Sequence, residues 1–547
     1  MSMKLLLNES FGYQWLTEGD ISLKGYFQID GSDVVFKGLD GIKRLSQIDT
    51  FEKFVVFLKM LSGVFSIVIK KGPSVWAAVD IARSLPLFYS NDGDILSDSA
   101  ECIREELNIK KEEVDINNLT ELFANYYLFG HKTVYEDIQQ LDLGEVAELS
   151  RSGIKIVKYF NHINDIDDKE ETVLKRKISE TANRSFKRIK AAIGNRPVVL
   201  SMSGGYDSRF VGCMLKNFGI EDVSCYTYGK ASSFEVLQSK KNADALGYRW
   251  TCVEMTDDLV KRNLDEIGQS YLDSYTGHDF TAYMQNFAAV RKLHEEGWLK
   301  PNSVFLTGLC GDMPTGEYVL PYDSSKSYTL ATAAQAVYDL IFNRYELQEP
   351  QKENWISEIT EVLRNLPITI KDYHSWHQAI DCIYTSSCHV HWYMHMNSVH
   401  AFFGYEWLLP YWDKELLMAW YSVPSEYKVK QKMYEDWLME EVCKPYGLNQ
   451  KKTLVLYSQS RIKRKIQYSL GGIINYVLLH LGIPFKRQQD YNNFAPLEVE
   501  LFKRINNHKI INYRRAGMMQ LLDNYLIERR YGVENLKIVN KYLKSRE

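Results

Sequence analysis

The run Ser203-Gly204-Gly205-Tyr206-Asp207-Ser208 brings two glycines, two hydroxyls and a carboxylate together. It follows the apolar stretch Val198-Val199-Leu200-Ser201-Met202 directly and leads into a helical pattern, Ser208–Phe218, that stops at Gly219. Glycines after a buried strand let the backbone turn sharply and approach a ligand closely. Successive N–H groups at a helix N-terminus make an anion site, and the Ser203 and Ser208 hydroxyls add donors. A carboxylate beside such a cradle calls for a cation, and Mg²⁺ favours few carboxylates together with phosphate oxygens. The predicted chemistry is therefore binding of Mg²⁺ and a polyphosphate. The plainer alternative is a turn and N-cap, where the same residue types are common. The segment is not a GxxxxGK[ST] loop, and no GxGxxG follows a strand.

A second loop has the same construction. Ser303-Val304-Phe305-Leu306 runs into Thr307-Gly308-Leu309-Cys310-Gly311-Asp312-Met313-Pro314-Thr315-Gly316. Two aspartates on separate loops can share Mg²⁺ where open α/β sheets bind ligands, at the C-terminal edge. A third concentration of chemistry lies in His374–His400, which holds six of the twelve histidines. His391 and His395 have a metal-capable helical spacing; the alternative is a helix flanking the substrate pocket with its histidines hydrogen-bonded.

These loops need a sheet to hold them. Val223–Thr227 and Tyr248–Val253 read as further strands, with a helix between them opened by Ser232-x-x-Glu235 and ending at Gly247. Strand, helix, strand, helix, strand predicts a parallel sheet covered on both faces. The chain from there to Glu547 reads as mainly helical. Upstream, Gly25–Ile29, Gly63–Ile69 and Val75–Val79 are strand-like, Phe51–Leu61 is a helix, and Leu143–Leu149 with Gly153–Tyr159 form a late hairpin. The acidic, non-periodic Asn161–Glu171 is the linker, ahead of a helix with Leu174, Ile178, Ala182 and Ile189 on one face. The fold class expected is α+β followed by α/β, with domains at 1–162 and 172–547.

The 547 residues carry 66 Lys+Arg against 70 Asp+Glu, a net charge of −4. There is no global basic field, which argues against a nucleic-acid partner. Eight cysteines include no CxxC pair, so zinc-ribbon and thioredoxin-type sites are not expected. With no signal-peptide pattern at the start, a cytoplasmic protein with free thiols is expected. The basic Lys451–Leu470 followed by the apolar Gln467–Phe485 gives weak membrane-surface contact near 451–485 as one expectation, and a buried helical pair as the other.

The first loop resembles the SGGxDS loop of ATP pyrophosphatases. With the second loop, which is similar to S/T-G-x-G-x-D-E-x-x-G-G, it resembles the asparagine synthetase family. Val79-Asp80-Ile81-Ala82-Arg83-Ser84-Leu85-Pro86-Leu87-Phe88-Tyr89 is similar to that family's D-x-x-G-x-x-P-L-Y-Y stretch. Met396–Asp413, ending Glu406-Trp407-Leu408-Leu409-Pro410-Tyr411-Trp412-Asp413, is similar to its E-x-R-x-P-F-L-D helix end. The resemblance implies an N-terminal amidotransferase-like (Ntn-type) sandwich and a C-terminal synthetase domain with an adenine-nucleotide α-hydrolase-like parallel sheet. It implies ATP and Mg²⁺ as cofactors. Ser203, Gly204, Gly205, Asp207 and Ser208 would bind the ATP phosphates, Gly308 would lie against the nucleotide, and Asp207 with Asp312 would hold Mg²⁺. A lysine after the P-F-L-D-like segment would contact the reacting phosphate. Lys432 is the choice, with Lys430 and Lys428 as alternatives.

The sequence also departs from the family. It begins Met1-Ser2-Met3, without the N-terminal nucleophilic cysteine of glutamine-dependent members, so glutaminase activity is not expected. Leu309 stands where asparagine synthetases carry glutamate, Cys310 replaces glycine, and Met313 replaces the acid after the aspartate. The expected activity is ATP-dependent amide-bond formation through an acyl-adenylate, with ammonia or an amine as nucleophile. The carboxylate substrate would be a small molecule, a sugar acid or a peptide. A non-catalytic nucleotide-binding relative is the alternative.

Overall fold

The computed structural model describes residues 3–545 apart from 9–11, 168, 275–277, 343–344, 451–473, 476, 486–489, 491 and 507–516. The first 160 residues build two sheets. The larger one runs Gly153–Lys158, Glu145–Ser150, Ser74–Val79, Leu61–Lys71, Ile21–Ile29, Trp15–Glu18, antiparallel throughout, with Val35–Lys37 also on Ile21–Ile29. The smaller one joins Lys4–Leu6, Ile95–Ser97, Phe88–Ser90 and Ile138–Gln140. Alternation along the strands sends side chains to opposite faces. Val68, Ala77 and Ala147 face Tyr89 and Leu96 of the small sheet. Their neighbours Ile67, Ile69, Trp76 and Ala78 share a core with Ile42, Phe54 and Leu58 of the helices Gly38–Leu45 and Phe51–Leu58. The helix predicted over Phe51–Leu61 ends at Leu58, because Leu61 already begins the longest strand of the sheet.

Helix α1 (Glu171–Ile193) buries Leu174, Ile178, Ala182 and Ile189 as predicted. A five-stranded parallel sheet follows: β1 (Val198–Ser201), β2 (Val223–Gly229), β3 (Arg249–Glu254), β4 (Val304–Leu306) and β5 (Glu406–Leu408), in the order β3-β2-β1-β4-β5. Helix α2 (Tyr206–Asn217) leaves β1, and α3 (Phe234–Leu246) leaves β2. The N-cap of α3 is Ser233, whose side chain accepts from the Val236 N–H, so the box predicted at Ser232 is displaced by one residue. Gly247 closes α3 in the left-handed conformation with φ 71°. The segment likened to a helix end is instead the edge strand β5. A short turn Pro410–Trp412 follows it, and Asp413 then caps a new helix by accepting from the Leu416 N–H. Among the described residues after Ala495 the chain is helical except for Leu543–Ser545, which pairs with Tyr345–Leu347. Most of the segment 451–485 lies outside the described residues. Its described part exposes Ile474, Val477, Leu481 and Ile483, and no described helix is long and apolar enough to cross a membrane.

The two halves interlock through buried polar contacts. Arg83, held at φ 48°, donates Nη2 to Asp279 Oδ2 at 2.8 Å and Nε to the Leu141 carbonyl at 3.0 Å, and it also reaches Gln140 and His395. Both partners of the Arg83–Asp279 ion pair are fully buried. Asp142 accepts from Lys158 Nζ at 3.0 Å and meets His391 Nε2 at 3.1 Å. Burial pushes the Asp142 carboxyl up, but Lys158 and His391 together hold it well below the usual carboxylate range.

Truncating one member of a buried pair strands the other charge. Arg83→Ala should therefore lower unfolding stability by about 3–5 kcal/mol in urea titrations. The double variant Arg83→Met/Asp279→Leu should recover much of that loss. Equal destabilisation of the single and the double variant would show that Asp279 does not depend on Arg83.

Candidate functional site

The strand order reverses at β1. Strands β2 and β3 extend to one side of it, β4 and β5 to the other. Open α/β sheets bind ligands at such a switch point, outside the C-terminal ends of the strands. The loops leaving β1 and β4 are the two singled out from the sequence, and the sheet makes them neighbours.

Their contact is tight. A Cβ on Gly308 would lie 2.8 Å from both the Asp207 carbonyl carbon and the Ser208 nitrogen, and 2.9 Å from Asp207 Cβ. Only glycine allows this approach. The β1 loop is tied internally. Ser203 N–H donates to Ser208 Oγ at 3.0 Å, the two hydroxyls are 3.0 Å apart, and Gly205 N–H donates to Ser203 Oγ at 3.1 Å. Gly204 is buried against Gln238 of α3. Helix α3 also fixes the approach to the loop, through Ser239 Oγ to the Met202 carbonyl at 2.6 Å and Asn242 Nδ2 to the Ser203 carbonyl at 3.2 Å.

Asp207 lies inside the first turn of α2, because the helix begins at Tyr206, two residues ahead of the Ser208 start read from the sequence. The helix dipole there favours negative charge. The carboxylate is half-buried and its Oδ1 accepts from two phenols, Tyr434 Oη at 2.7 Å and Tyr411 Oη at 3.4 Å. Asp312 is also half-buried and is the first residue of the short helix α4 (Asp312–Thr315). Its Oδ1 accepts from the Met313 N–H at 3.1 Å. Gly308 and Leu309 are half-buried beside it. Cys310 has φ 61°, and burial, reinforced by the Asp312 carboxylate, pushes its thiol well up.

The three candidate lysines separate clearly. Lys428 is in the core, 3.6 Å from Asp381 Oδ2, with both side chains nearly inaccessible. Burial lowers the Lys428 ammonium pKa against the pull of Asp381, and burial raises the Asp381 carboxyl to about 6. Lys430 and Lys432 are exposed. Lys430 and Gln431 are both left-handed, at φ 52° and 60°, and Lys432 opens helix α5 (Lys432–Trp437) immediately after them. Two such residues in succession store strain of order 1–3 kcal/mol each. The turn is fastened by Gln431 Nε2 donating to Thr315 Oγ1 of α4 at 2.7 Å.

Sequence reasoning missed Tyr411, Tyr434 and Gln431. The available signal was Tyr411 at the phenylalanine position of the P-F-L-D-like segment and Tyr434 two residues after Lys432. The two loop aspartates and the phosphate-type cradle form a donor set that fits Mg²⁺ and a polyphosphate: hard oxygen ligands, few carboxylates, a helix N-terminus and exposed ammonium groups.

Among the described residues the histidines of this cluster are engaged elsewhere or lie apart. His391 is bound to Asp142, and His395 lies 3.3 Å from Arg83 and stacks on Phe280 at 3.6 Å. Among the described residues no three ligand side chains converge. His162, His389 and His400 are buried, and neither ring nitrogen of any of them meets a hydrogen-bond partner among the described residues. Burial lowers His162 and His400 to about 3 and His389 to about 4, in the last case against the pull of Asp312.

Two predictions follow from this geometry. Gly308→Ala should drive the two loops apart, leaving the overall fold intact while weakening Mg·ATP binding at least tenfold by calorimetry; wild-type affinity would mean the loops do not act together. The histidines predict acid sensitivity. Each is neutral when folded and binds a proton when unfolded below about 6.5, so unfolding stability rises with pH between about 4 and 6.5 and is lost on acidification. Each site contributes about 1.4 kcal/mol per pH unit in that window. His400→Phe should flatten the slope of stability against pH, measured by urea unfolding between pH 7 and 5.

Comparison with known proteins bears on the region that holds these loops. Residues 188–448, which contain both loops, β1 to β5 and Lys432, match the asparagine synthase family model. No curated protein matches the chain. Among solved structures, glutamine phosphoribosylpyrophosphate amidotransferase from B. subtilis, complexed with ADP and GMP, is similar at 11% identity and a TM-score of 0.16, over 56% of this chain and 64% of that one. At that TM-score the likeness carries no argument. Residues 188–448, a little under half of the chain, are thus similar to the asparagine synthase family.

Proposed function

We propose that the protein is an ATP-dependent amide-bond ligase that activates a carboxylate as an acyl-adenylate, releases pyrophosphate and passes the acyl group to ammonia or an amine. The observation that carries this reading is the contact of the two strand-end loops at the sheet's switch point, which brings Asp207 and Asp312 to neighbouring strands of one edge. In this reading Asp207 and Asp312 hold Mg²⁺, which when bound neutralises charge on the phosphates. The N–H groups of Gly204, Gly205 and the first turn of α2, with the Ser203 and Ser208 hydroxyls, bind phosphate oxygens. Gly308 lies against the nucleotide, and Lys432 brings an ammonium to the reacting phosphate. Lys430 remains the alternative, whereas Lys428 is committed to Asp381. Preorganised donors of this kind stabilise charge as it develops, without reorganisation during the reaction. The substrate carboxylate belongs to a small molecule, a sugar acid or a peptide. The N-terminal 162 residues serve as an amidotransferase-like layer that docks on the synthetase part. The half-buried Leu309 beside Asp312 favours the second reading, a non-catalytic nucleotide-binding relative, since leucine cannot accept a proton.

Both readings are tested together. Pyrophosphate release should be followed over a panel of carboxylates with ammonium or an amine, alongside calorimetry with Mg·ATP. Asp207→Asn and Asp312→Asn should each fold, bind Mg·ATP more weakly and lose about a hundredfold or more in turnover. The double variant should be little worse than either single, since both would act through one ion. Mg·ATP binding without pyrophosphate release on any substrate selects the non-catalytic reading. Wild-type behaviour of both single variants removes the assignment of the site.

A further inference from the structure

We infer that Tyr434, with Tyr411, is a positioning residue that holds the Asp207 carboxylate and ties it to the helix carrying Lys432. The inference rests on the ligase reading above and adds to it a part of the site that the two loops alone do not provide.

The phenols form a chain of donors. Tyr411 Oη lies 2.5 Å from Tyr434 Oη, and Tyr434 Oη lies 2.7 Å from Asp207 Oδ1. Each phenol has one proton to give. The shortest path has Tyr434 donating to the carboxylate and Tyr411 donating to Tyr434, with the 3.4 Å Tyr411–Asp207 contact as a weaker approach. Both rings are out of contact with water: Tyr434 is 0% exposed and Tyr411 2%. Burial, then the Asp207 charge, push both hydroxyls well above the ordinary tyrosine value, so they remain protonated donors.

The rings cannot move independently of the loops. Tyr411 packs 5.1 Å from Phe210 of α2 and covers Gly311 so closely that a Cβ there would lie 2.6 Å from its Cζ. One side chain thus touches the β4 loop with its ring and faces the β1 loop's aspartate with its hydroxyl. Tyr434 is wedged edge-on to Trp420 at 5.6 Å and tilted against Trp437 at 6.2 Å.

Helix α5 is therefore fastened on both sides of Lys432. Gln431 bonds to Thr315 of α4, the helix that begins at Asp312, and Tyr434 bonds to Asp207. A helix rises about 1.5 Å per residue, so Lys432 sits within about 3 Å of axial travel of Tyr434. It cannot shift without breaking one of these bonds. The exposed lysine takes its backbone position from two partly buried contacts, one to α4 and one to Asp207, after a strained left-handed turn.

Tyr434→Phe removes the donor and keeps the ring, and it separates positioning from packing. Its Mg·ATP affinity by calorimetry should stay within about threefold of wild type, while pyrophosphate release per folded molecule falls at least tenfold. In a Lys432→Ala background the same substitution should cost less than twofold, because its effect passes through the lysine. Tyr411→Phe should be milder, since Tyr434 still reaches Asp207. A purely structural tyrosine would lower the melting temperature but leave turnover of the folded fraction unchanged. Turnover of Tyr434→Phe within twofold of wild type overturns the inference, and so does a tenfold loss that persists in Lys432→Ala. If the wild-type protein neither binds Mg·ATP nor releases pyrophosphate, it is the ligase reading that falls. The holding of Asp207 is then judged by thermal melting of Asp207→Ala, Tyr434→Phe and the double variant: coupled shifts support it and additive shifts overturn it.

Discussion

Two loops from neighbouring strands touch where no methyl group fits between them, at Gly308 against the Asp207–Ser208 peptide. Most of the C-terminal architecture can be read as what this contact requires. The strands that launch the loops must be adjacent and parallel, so β4 returns to pair with β1 along Val198–Val304, Val199–Phe305 and Leu200–Leu306. The chain reaches that place only after crossing from the edge strand β3 back past β2 and β1, which creates the order reversal and with it the crevice. The first loop must stay compact while a second loop presses on it, and here its own serines and the buried side chains of α3 hold it. The carboxylates then come to one edge as a consequence of sheet geometry.

Below that edge the interior is unusually polar. Arg83–Asp279, Asp142 with His391, and Lys428–Asp381 are buried polar pairs, the exposed Lys158 reaching Asp142 from the surface, and none of these pairs stabilises the fold as cheaply as apolar packing of the same volume would. Their effect is directional. A buried arginine with four separate partners accepts only one relative placement of the elements that supply them, so the N-terminal sheets have one seat on the C-terminal part. Lys428 shows the same logic beside the site. Its commitment to Asp381 fixes the chain just before the strained Lys430–Gln431 turn.

What the sequence made legible was local. A short apolar strand, a glycine turn and a helix start occupy a dozen consecutive residues, and the same grammar appears twice, so the two loops and the parallel sheet could be read directly. The apolar face of α1 was legible for the same reason. The features that escaped are nonlocal or too short to carry a period. Strand β5 is three residues long, Glu406–Leu408, with no alternation to detect, and it was likened to a helix end. Tyr434 and Asp207 are 227 residues apart in sequence, and nothing near either announces the other. The choice between Ser232 and Ser233 as a cap depends on a backbone angle that two adjacent serines do not reveal. Lys428, Lys430 and Lys432 look alike as a charge run and differ in burial, and the buried one, Lys428, depends on Asp381 almost fifty residues upstream.

The pattern of ionisation around Asp312 completes the physical picture. Nearby groups that might carry charge are held neutral: the Cys310 thiol and the Tyr393 phenol are pushed up, and the His389 imidazole is pushed down to about 4, each chiefly by burial. Leu309 adds no charge where a carboxylate could have stood. A site arranged this way leaves the aspartates, the exposed lysines and the helix N-terminus as the main sources of field, and in low-dielectric surroundings an isolated charge acts more strongly on whatever binds beside it. Such a field suits a reaction whose charge develops on phosphate oxygens. The neutral groups near Asp312 lie far from the pKa that a base working near pH 7 requires, so their part is to shape the field rather than to move protons. The protein's contribution would lie in holding Asp207, Asp312 and Lys432 in one fixed frame.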